Sequence, residues 1–269
     1  MSLRNGVRYL PKLNSQYVYL RPLGSGSFAD VFLIRAKGSK KLCVIKVYRR
    51  SYDKRKVIYE YESLCCLVKS GLLSMCDIFT FGSDYSWSLV YDYAAGSTLD
   101  TFMNQKWTED EFLDLIKALL SEVRRYQSLG YVHRDLKPDN IVYHQGKCQF
   151  IDFQSIQHVN WPYNNGAGTP LYTSPEKLVG LHNYFPPKIL YLNDIYAIGV
   201  TLYRLWFKRD PFLRKREREE DIGDLALFVA KMEFNQVPNN RIEALILYMM
   251  LPNYTQRPDI VQLFELLGL

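Results

Sequence analysis

The strongest constraint on this chain is a change of periodicity near residue 95. Before it, short runs at 17–23, 30–36, 42–48, 77–82 and 86–91 are rich in Tyr, Val, Phe and Ile. They are separated by Gly-Ser and Lys-Gly turns, the pattern of β-strands. One helical stretch, at about 53–69, interrupts them. Beyond residue 95 the period becomes helical. Thr108-Glu109-Asp110-Glu111 opens a segment with apolar residues at 112, 115, 116, 119, 120 and 123, which predicts a capped amphipathic helix ending near Gly130. Further helices are expected at 192–207, 221–233, 239–250 and 258–267. This order predicts an α+β, bilobal chain: a small antiparallel β-sheet lobe with one main helix, then a larger, mainly helical lobe. A ligand is expected in the cleft between such lobes, where the segment from Tyr91 to Gly96 would cross.

The 269 residues allow one large domain or two small lobes, and 48% hydrophobic against 23% charged residues excludes a disordered chain. Five cysteines, Cys43, Cys65, Cys66, Cys76 and Cys148, form no C-x-x-C pair, and their odd number argues for reduced thiols inside a cell. The opening MSLRNGVRYLPK lacks the apolar core of a signal peptide. The longest apolar stretch, 195–207, is too short to span a membrane and carries Arg204, so neither a targeting nor a membrane segment is expected. The net charge is +6, but the basic run Arg214-Lys215-Arg216-Glu217-Arg218 leads directly into Glu219, Glu220 and Asp221. That reads as a solvated mixed-charge loop, and no direct nucleic-acid binding is expected. Apolar residues on the 53–69 helix are assigned to packing on the sheet in preference to a homodimer contact.

Gly24-Ser25-Gly26-Ser27-Phe28-Ala29-Asp30-Val31 joins two predicted strands, and its glycines would let backbone N–H groups approach phosphate oxygens. A plain hairpin turn explains two glycines equally well, and the third position of G-x-G-x-x-G is Ala29. Lys46 ends the apolar run Cys43-Val44-Ile45, and a lysine there needs an anionic partner. Glu60 is in line with Leu64 and Leu67, whereas Glu62 is rotated away, so Glu60 is the expected partner.

The decisive segment is His133-Arg134-Asp135-Leu136-Lys137-Pro138-Asp139-Asn140, followed by a predicted strand pair and Ile151-Asp152-Phe153. It resembles the eukaryotic-type protein kinases, whose catalytic loop reads H-R-D-L-x-x-x-N and whose metal-binding Asp precedes Phe. Residues 168–176, ending Ser174-Pro175-Glu176, resemble the family's substrate-docking segment, and Asp194 to Gly199 resembles the start of its buried helix. Arg257 stands where the family pairs an arginine with that Glu. The resemblance covers about 17–269 and implies a single kinase domain over 1–269, with an N-lobe to about 92, a hinge at 92–96 and a C-lobe from about 97.

The resemblance implies ATP and Mg2+, with Mn2+ as a substitute, as cofactors. Lys46, held by Glu60, would grip the α- and β-phosphates below the loop of Gly24, Ser25, Gly26, Ser27 and Phe28. Asn140 and Asp152 would hold the metal, Asp135 would orient the acceptor hydroxyl and take its proton, and Lys137 would neutralise the transferring group. Adenine would meet Val31, Val44 and Val142 and the backbone of Asp92 and Ala94, with Tyr91 guarding the back. Lys137 together with Thr169 is similar to the serine/threonine branch, which implies protein substrates bearing Ser or Thr.

Three departures matter. Gln154 replaces the glycine usual after Asp-Phe, which favours either a stiffened segment or a pseudokinase serving as a nucleotide- or partner-binding scaffold. The four groups that would touch metal and phosphate are all present, and they favour the active enzyme. Asn165 stands where a phosphothreonine is common, and Ser155 and Tyr163 are the other hydroxyl side chains between Asp152 and Thr169. The expectation is therefore activity without loop phosphorylation. Arg204 stands where arginine-directed kinases often carry Glu, so a neutral, acidic or pre-phosphorylated acceptor motif is expected, with Asp139 offering one acidic contact. The compact chain, read as having no regulatory tail, also looks like the kinases of large DNA viruses, the baculovirus kinases among them. That likeness implies action in an infected cell, in cytoplasm or nucleus. A small-molecule or lipid kinase is the remaining reading, and the docking segment opposes it.

Overall fold

The computed structural model describes residues 16–81, 86–161, 168–179, 185–211 and 238–269. The basic run at 214–218, the helix expected at 221–233, Tyr163 and Asn165 lie outside the described residues. Two compact units divide the chain, Met1–Ala94 and Ala95–Leu269.

In the first unit, β1 (Tyr17–Ser25), β2 (Ala29–Ala36), β3 (Leu42–Tyr48), β4 (Cys76–Phe81) and β5 (Ser86–Asp92) form an antiparallel sheet of order β1-β2-β3-β5-β4. Strand alternation divides the side chains between its faces. Tyr17, Phe32, Ile34, Cys43, Ile45, Val47 and Val90 cluster on one. Cross-strand partners Val31↔Lys46↔Leu89 and Leu33↔Val44↔Tyr91 share the other. Helix α1 (Lys54–Lys69) starts where the Asp53 carboxylate accepts the Arg55 N–H at 2.9 Å. It buries Val57, Glu60, Ser63, Leu64 and Leu67 and packs on β4 and β5. Packing on the sheet thus consumes its apolar face, and Ile58 remains 40% exposed.

In the second unit, α2 (Glu109–Gln127) opens with a capping box, Thr108 and Glu111 each satisfying the other's backbone N–H. Its buried residues include 112, 115, 116, 119, 120 and 123, the expected stripe. Strands β6 (Ser97–Thr98), β8 (Ile141–His144) and β9 (Lys147–Phe150) form a small sheet, and β7 (Tyr131–Val132) pairs with β10 (Gln157–His158). Three further helices are α3 (Pro175–Val179), α5 (Arg241–Met249) and α6 (Ile260–Leu267). Between α3 and α5 lies α4 (Pro187–Phe207), which starts five residues before the expected 192. Pro187 occupies its first turn, where the missing N–H costs nothing and the fixed φ already suits a helix. Almost all of α4 from Leu192 on is buried, and Gly199 lets α5 approach closely. A Cβ there would lie 2.7 Å from Met250 Cγ and 2.9 Å from Met249 Cβ. Among the described residues, no helix is long and apolar enough to cross a membrane.

Candidate active site

In the first unit, Lys46 and Glu60 meet in the interior. Lys46 Nζ lies 3.0 Å from Glu60 Oε1 and 3.4 Å from Oε2, and Glu60 is fully buried while Glu62 is exposed. Val31, Val44 and Tyr91 share Lys46's face of the sheet, and the alternation adds Leu89 to them. The Asp92 side chain accepts from Ser74 Oγ at 2.6 Å and from the Met75 N–H at 3.2 Å, and it pairs with Lys41 at 3.2 Å. Burial works to raise this carboxyl, but the Ser74 bonds and Lys41 outweigh it and hold it below the usual value. The side chain therefore pins the backbone that leads to Ala94.

The glycine-rich turn differs from the expectation of free N–H groups. Gly24 and Ser25 belong to β1, and the turn is only residues 26–28. Gly26 donates its N–H to Ala29 O at 2.9 Å, and Arg49 Nη2 donates to Gly26 O at 2.9 Å. In this conformation the turn is closed on itself, with Phe28 55% exposed at its tip.

In the second unit a buried carboxylate, Asp194, organises the loop that runs from His133 to Asn140. It accepts the N–H of His133 at 2.7 Å and of Arg134 at 2.9 Å. Burial pushes this carboxyl up, while the neighbouring His133, these two N–H groups and Lys177 oppose the shift. The clamp holds Arg134 in the left-handed region, at φ +71°, which is strained for a side chain with a Cβ. His133 Nε2 lies 3.1 Å from Ile151 O, and the Ile151 N–H reaches Asn140 O at 3.0 Å. Asp152 thus follows directly on two contacts with the catalytic loop and its adjoining turn.

Around Asp135 the expected residues converge. Thr169 Oγ1 donates to Asp135 Oδ1 at 2.7 Å, Lys137 Nζ donates to Thr169 Oγ1 at 2.9 Å, and Lys137 pairs with Asp135 Oδ2 at 3.3 Å. Asn140 Nδ2 donates to Asp135 O at 2.8 Å and Oδ2 at 3.3 Å. Val142 is buried on β8. Gly168 brings the docking segment close: at φ +127° it carries no Cβ, and one would stand 3.0 Å from Arg134 O. The bidentate pair Arg257–Glu176, at 2.7 and 3.0 Å, fixes the segment's far end.

Gln154 lies in a 3-10 turn over Phe153–Ser155, and the left-handed backbone falls instead on Asp152, at φ +63°. This conformation makes no demand for glycine at 154. The sequence reading missed Tyr48, whose hydroxyl donates to Glu60 Oε2, and Gln157, whose side-chain oxygen accepts from Arg134 Nη1. Tyr48 was within reach, since a residue two beyond Lys46 on a strand must share its face. Gln157 was not, because nothing local links it to residue 134.

A sheet-borne lysine paired to a helical glutamate in the first unit, and in the second a loop clamped from below and joined to an Asp-Phe turn, are features of the protein kinase domain class. The chain belongs to the protein kinase domain family, whose pattern matches residues 17–266. It is 29% identical over 229 residues to the serine/threonine-protein kinase MRCK gamma of Mus musculus, covering 77% of this chain and 14% of that protein. It is 30% identical over 213 residues to calcium-dependent protein kinase 4 of Plasmodium falciparum, covering 74% and 39%. To the calcium/calmodulin-dependent protein kinase type IV of Homo sapiens it is 28% identical over 202 residues, covering 72% and 41%. The chain therefore spans less than half the length of each of these relatives.

Proposed function

We propose that this chain transfers the γ-phosphoryl group of ATP to serine and threonine hydroxyls of protein substrates. The observation that carries the reading is the state of Asp135, whose Oδ1 already accepts a hydroxyl proton donor, Thr169, at 2.7 Å beside the Lys137 ammonium. A substrate hydroxyl presented to that carboxylate would be oriented by the same bond and would lose its proton to Asp135 as its oxygen bonds to the γ-phosphorus and the bond from that phosphorus to the β,γ-bridging oxygen breaks, releasing ADP. Lys137 would offset the charge on the phosphoryl oxygens, and Lys46, seated on Glu60, would bind the α- and β-phosphates. Val31, Val44 and Val142 would enclose the adenine and the backbone of Asp92 and Ala94 would bind its edge, with Tyr91 behind. The Lys137–Thr169 contact supports the serine/threonine assignment.

Asn140 and Asp152 would hold magnesium, for which manganese could substitute. An amide and a carboxylate oxygen suit a hard cation that completes its shell with phosphate oxygens and water. The described residues contain no cluster of three or more His, Cys, Asp or Glu side chains that would form a closed cage. The bound ion would neutralise charge on the phosphate oxygens.

Activity without loop phosphorylation belongs to the same proposal, supported by Arg134, which is 5% exposed and already engaged by the neutral Gln157 amide. An acceptor motif that is neutral, acidic or pre-phosphorylated is supported by Arg204, a cation bonded to Tyr172 and paired with Asp210 at 2.7 Å. Five free thiols support an intracellular place of action, in cytoplasm or nucleus.

The test is phosphate transfer from labelled ATP, with magnesium, by phosphate-free protein to a mixture of acidic and basic proteins. Label should appear on seryl and threonyl residues and fall at least about 100-fold in Asp135→Asn. A folded, nucleotide-binding chain that transfers nothing would overturn the reading in favour of a scaffold. Activity that waits for an upstream kinase would overturn the phosphorylation-independent part, and a peptide array dominated by Arg-x-x-Ser would overturn the motif.

A further inference from the structure

Two thiols of the first unit face each other across the contact between α1 and β4. Cys65, on the helix, and Cys76, at the first position of the strand, place their sulfurs 3.5 Å apart, and both are half-buried. The Tyr61 hydroxyl, one helical turn before Cys65, hydrogen-bonds to the Cys65 sulfur and steadies that side chain. The other three cysteines are placed differently. Cys43 is buried with its sulfur 3.5 Å from Met75 Sδ, and Cys148 is buried on β9 in the second unit. Cys66 is one step further along α1, turned about 100° around the helix from Cys65.

A sulfur–sulfur bond is about 2.0 Å long, so bonding these two atoms takes a further approach of about 1.5 Å. The connection between them, residues 70–75, is irregular backbone with Gly71 and Ser74 exposed, and it can take up that shift. Burial, the Cys65 thiol beside it and the Asp77 and Asp92 carboxylates push the Cys76 thiol up. Cys76 therefore keeps its proton, and the first attack on an oxidant falls to Cys65. With hydrogen peroxide, Cys65 gives its proton to water and its thiolate attacks one oxygen. The O–O bond breaks, hydroxide leaves and takes up a proton, and Cys65 becomes a sulfenic acid. The Cys76 sulfur then displaces the sulfenic hydroxyl, which leaves as water with the Cys76 proton. Two thiols and one peroxide thus give one disulfide and two waters, the sulfurs losing the two electrons that the peroxide gains. The Cys76 thiolate is scarce, but the contact distance makes this step intramolecular and offsets the scarcity.

We infer that Cys65 and Cys76 form a reversible redox site, in which a peroxide joins them in a disulfide that ties α1 to β4 and a thiol reductant releases it. The tie joins the helix that carries Glu60 to the strand preceded by Ser74 and Met75, the residues that hold the Asp92 carboxylate. It closes a loop between positions 11 apart, which restricts the unfolded chain and stabilises the oxidised form. The inference stands apart from the catalytic reading, which uses neither thiol.

The test treats the full chain with hydrogen peroxide, alkylates the remaining thiols and maps the digested peptides by mass spectrometry, with melting temperature recorded before and after. Alkylatable thiols should fall from five to three, with Cys65 joined to Cys76 within one chain. The melting temperature should rise by about 5 °C. Dithiothreitol should reverse both changes, Cys76→Ser should abolish them and Cys66→Ser should leave them intact. Retention of all five thiols, a bond through Cys66, a bond between two chains, or oxidation of Cys65 that stops short of a disulfide would overturn the inference. A Cys65–Cys76 bond that leaves the melting temperature unchanged or lowers it would overturn the tie between helix and strand. Should Cys76→Ser fail to fold, the joined peptides of the wild-type chain and of Cys66→Ser carry the test.

Discussion

Lys177 is 4% exposed and lies under the catalytic loop, its Nζ 3.4 Å from Arg134 O. Burial first, and then the neighbouring Arg134 charge, push its ammonium down from the ordinary 10.5 to about 8, although Asp194 and Asp135 pull the other way. The folded protein therefore releases this proton at a lower pH than the unfolded chain does. Between pH 8 and 10.5 the unfolded state binds more protons, so this group's contribution to stability rises with pH; below 8 the folded state carries a buried charge at a cost. Replacing it by a neutral side chain of similar length removes that cost. Lys177→Met should be more stable than wild type at pH 7 by about 1 to 3 kcal/mol, with the gain shrinking as pH rises from 8 towards 10.5, as urea denaturation at several pH values would record.

At the scale of elements, the crossing of α4 and α5 depends on one missing methyl group. Alanine is favoured over glycine within a helix by about 1 kcal/mol, and on propensity alone Gly199→Ala would stabilise α4. The added Cβ would meet Met249 and Met250 at under 3.0 Å and the Met249 backbone carbon at 3.2 Å, a contact that no rotamer change relieves. Overpacking should win, and the variant should lose about 1 to 3 kcal/mol of stability in thermal or denaturant unfolding. The boundaries of most elements were legible because their signals are local: alternation for β1 to β5, the Thr108 to Glu111 box for α2, the helical run at about 53–69 for α1. The start of α4 was not, since a proline inside a helix breaks it and a proline at the first turn begins it, and the residue type is the same.

Across the whole second unit, the pair Arg257–Glu176 ties residues 81 positions apart. The Arg257 side chain is fully buried, donates also to Leu251 O and Leu192 O, and lies 4.9 Å from the Tyr196 ring centroid. Removing one partner strands a charge in the interior. Glu176→Gln should cost about 3 to 5 kcal/mol. The double variant Glu176→Gln with Arg257→Met should lose less than the sum of the two single changes, because it removes both charges together. A double-mutant cycle in urea checks both statements.

By itself the sequence determined the order of the main elements, their strand and helix faces, and which residues the proposed phosphoryl transfer would call on. Those depend on residue type and short spacing: Asp135, Lys137 and Asn140 fall within six positions, and Glu60 shares a helical face with Leu64 and Leu67. Only the tertiary structure decided which distant groups complete them. The Asp194 clamp lies about 60 positions from the loop it holds, the Gln157 amide meets Arg134, the Tyr48 hydroxyl takes the second oxygen of Glu60, and Lys177 loses its solvation beneath the loop. The physical reason is the same in each case. Burial and hydrogen bonding depend on what surrounds a group in space, and desolvation turns an ordinary lysine, tyrosine or aspartate into one whose charge or proton must be balanced by a partner the local sequence does not name.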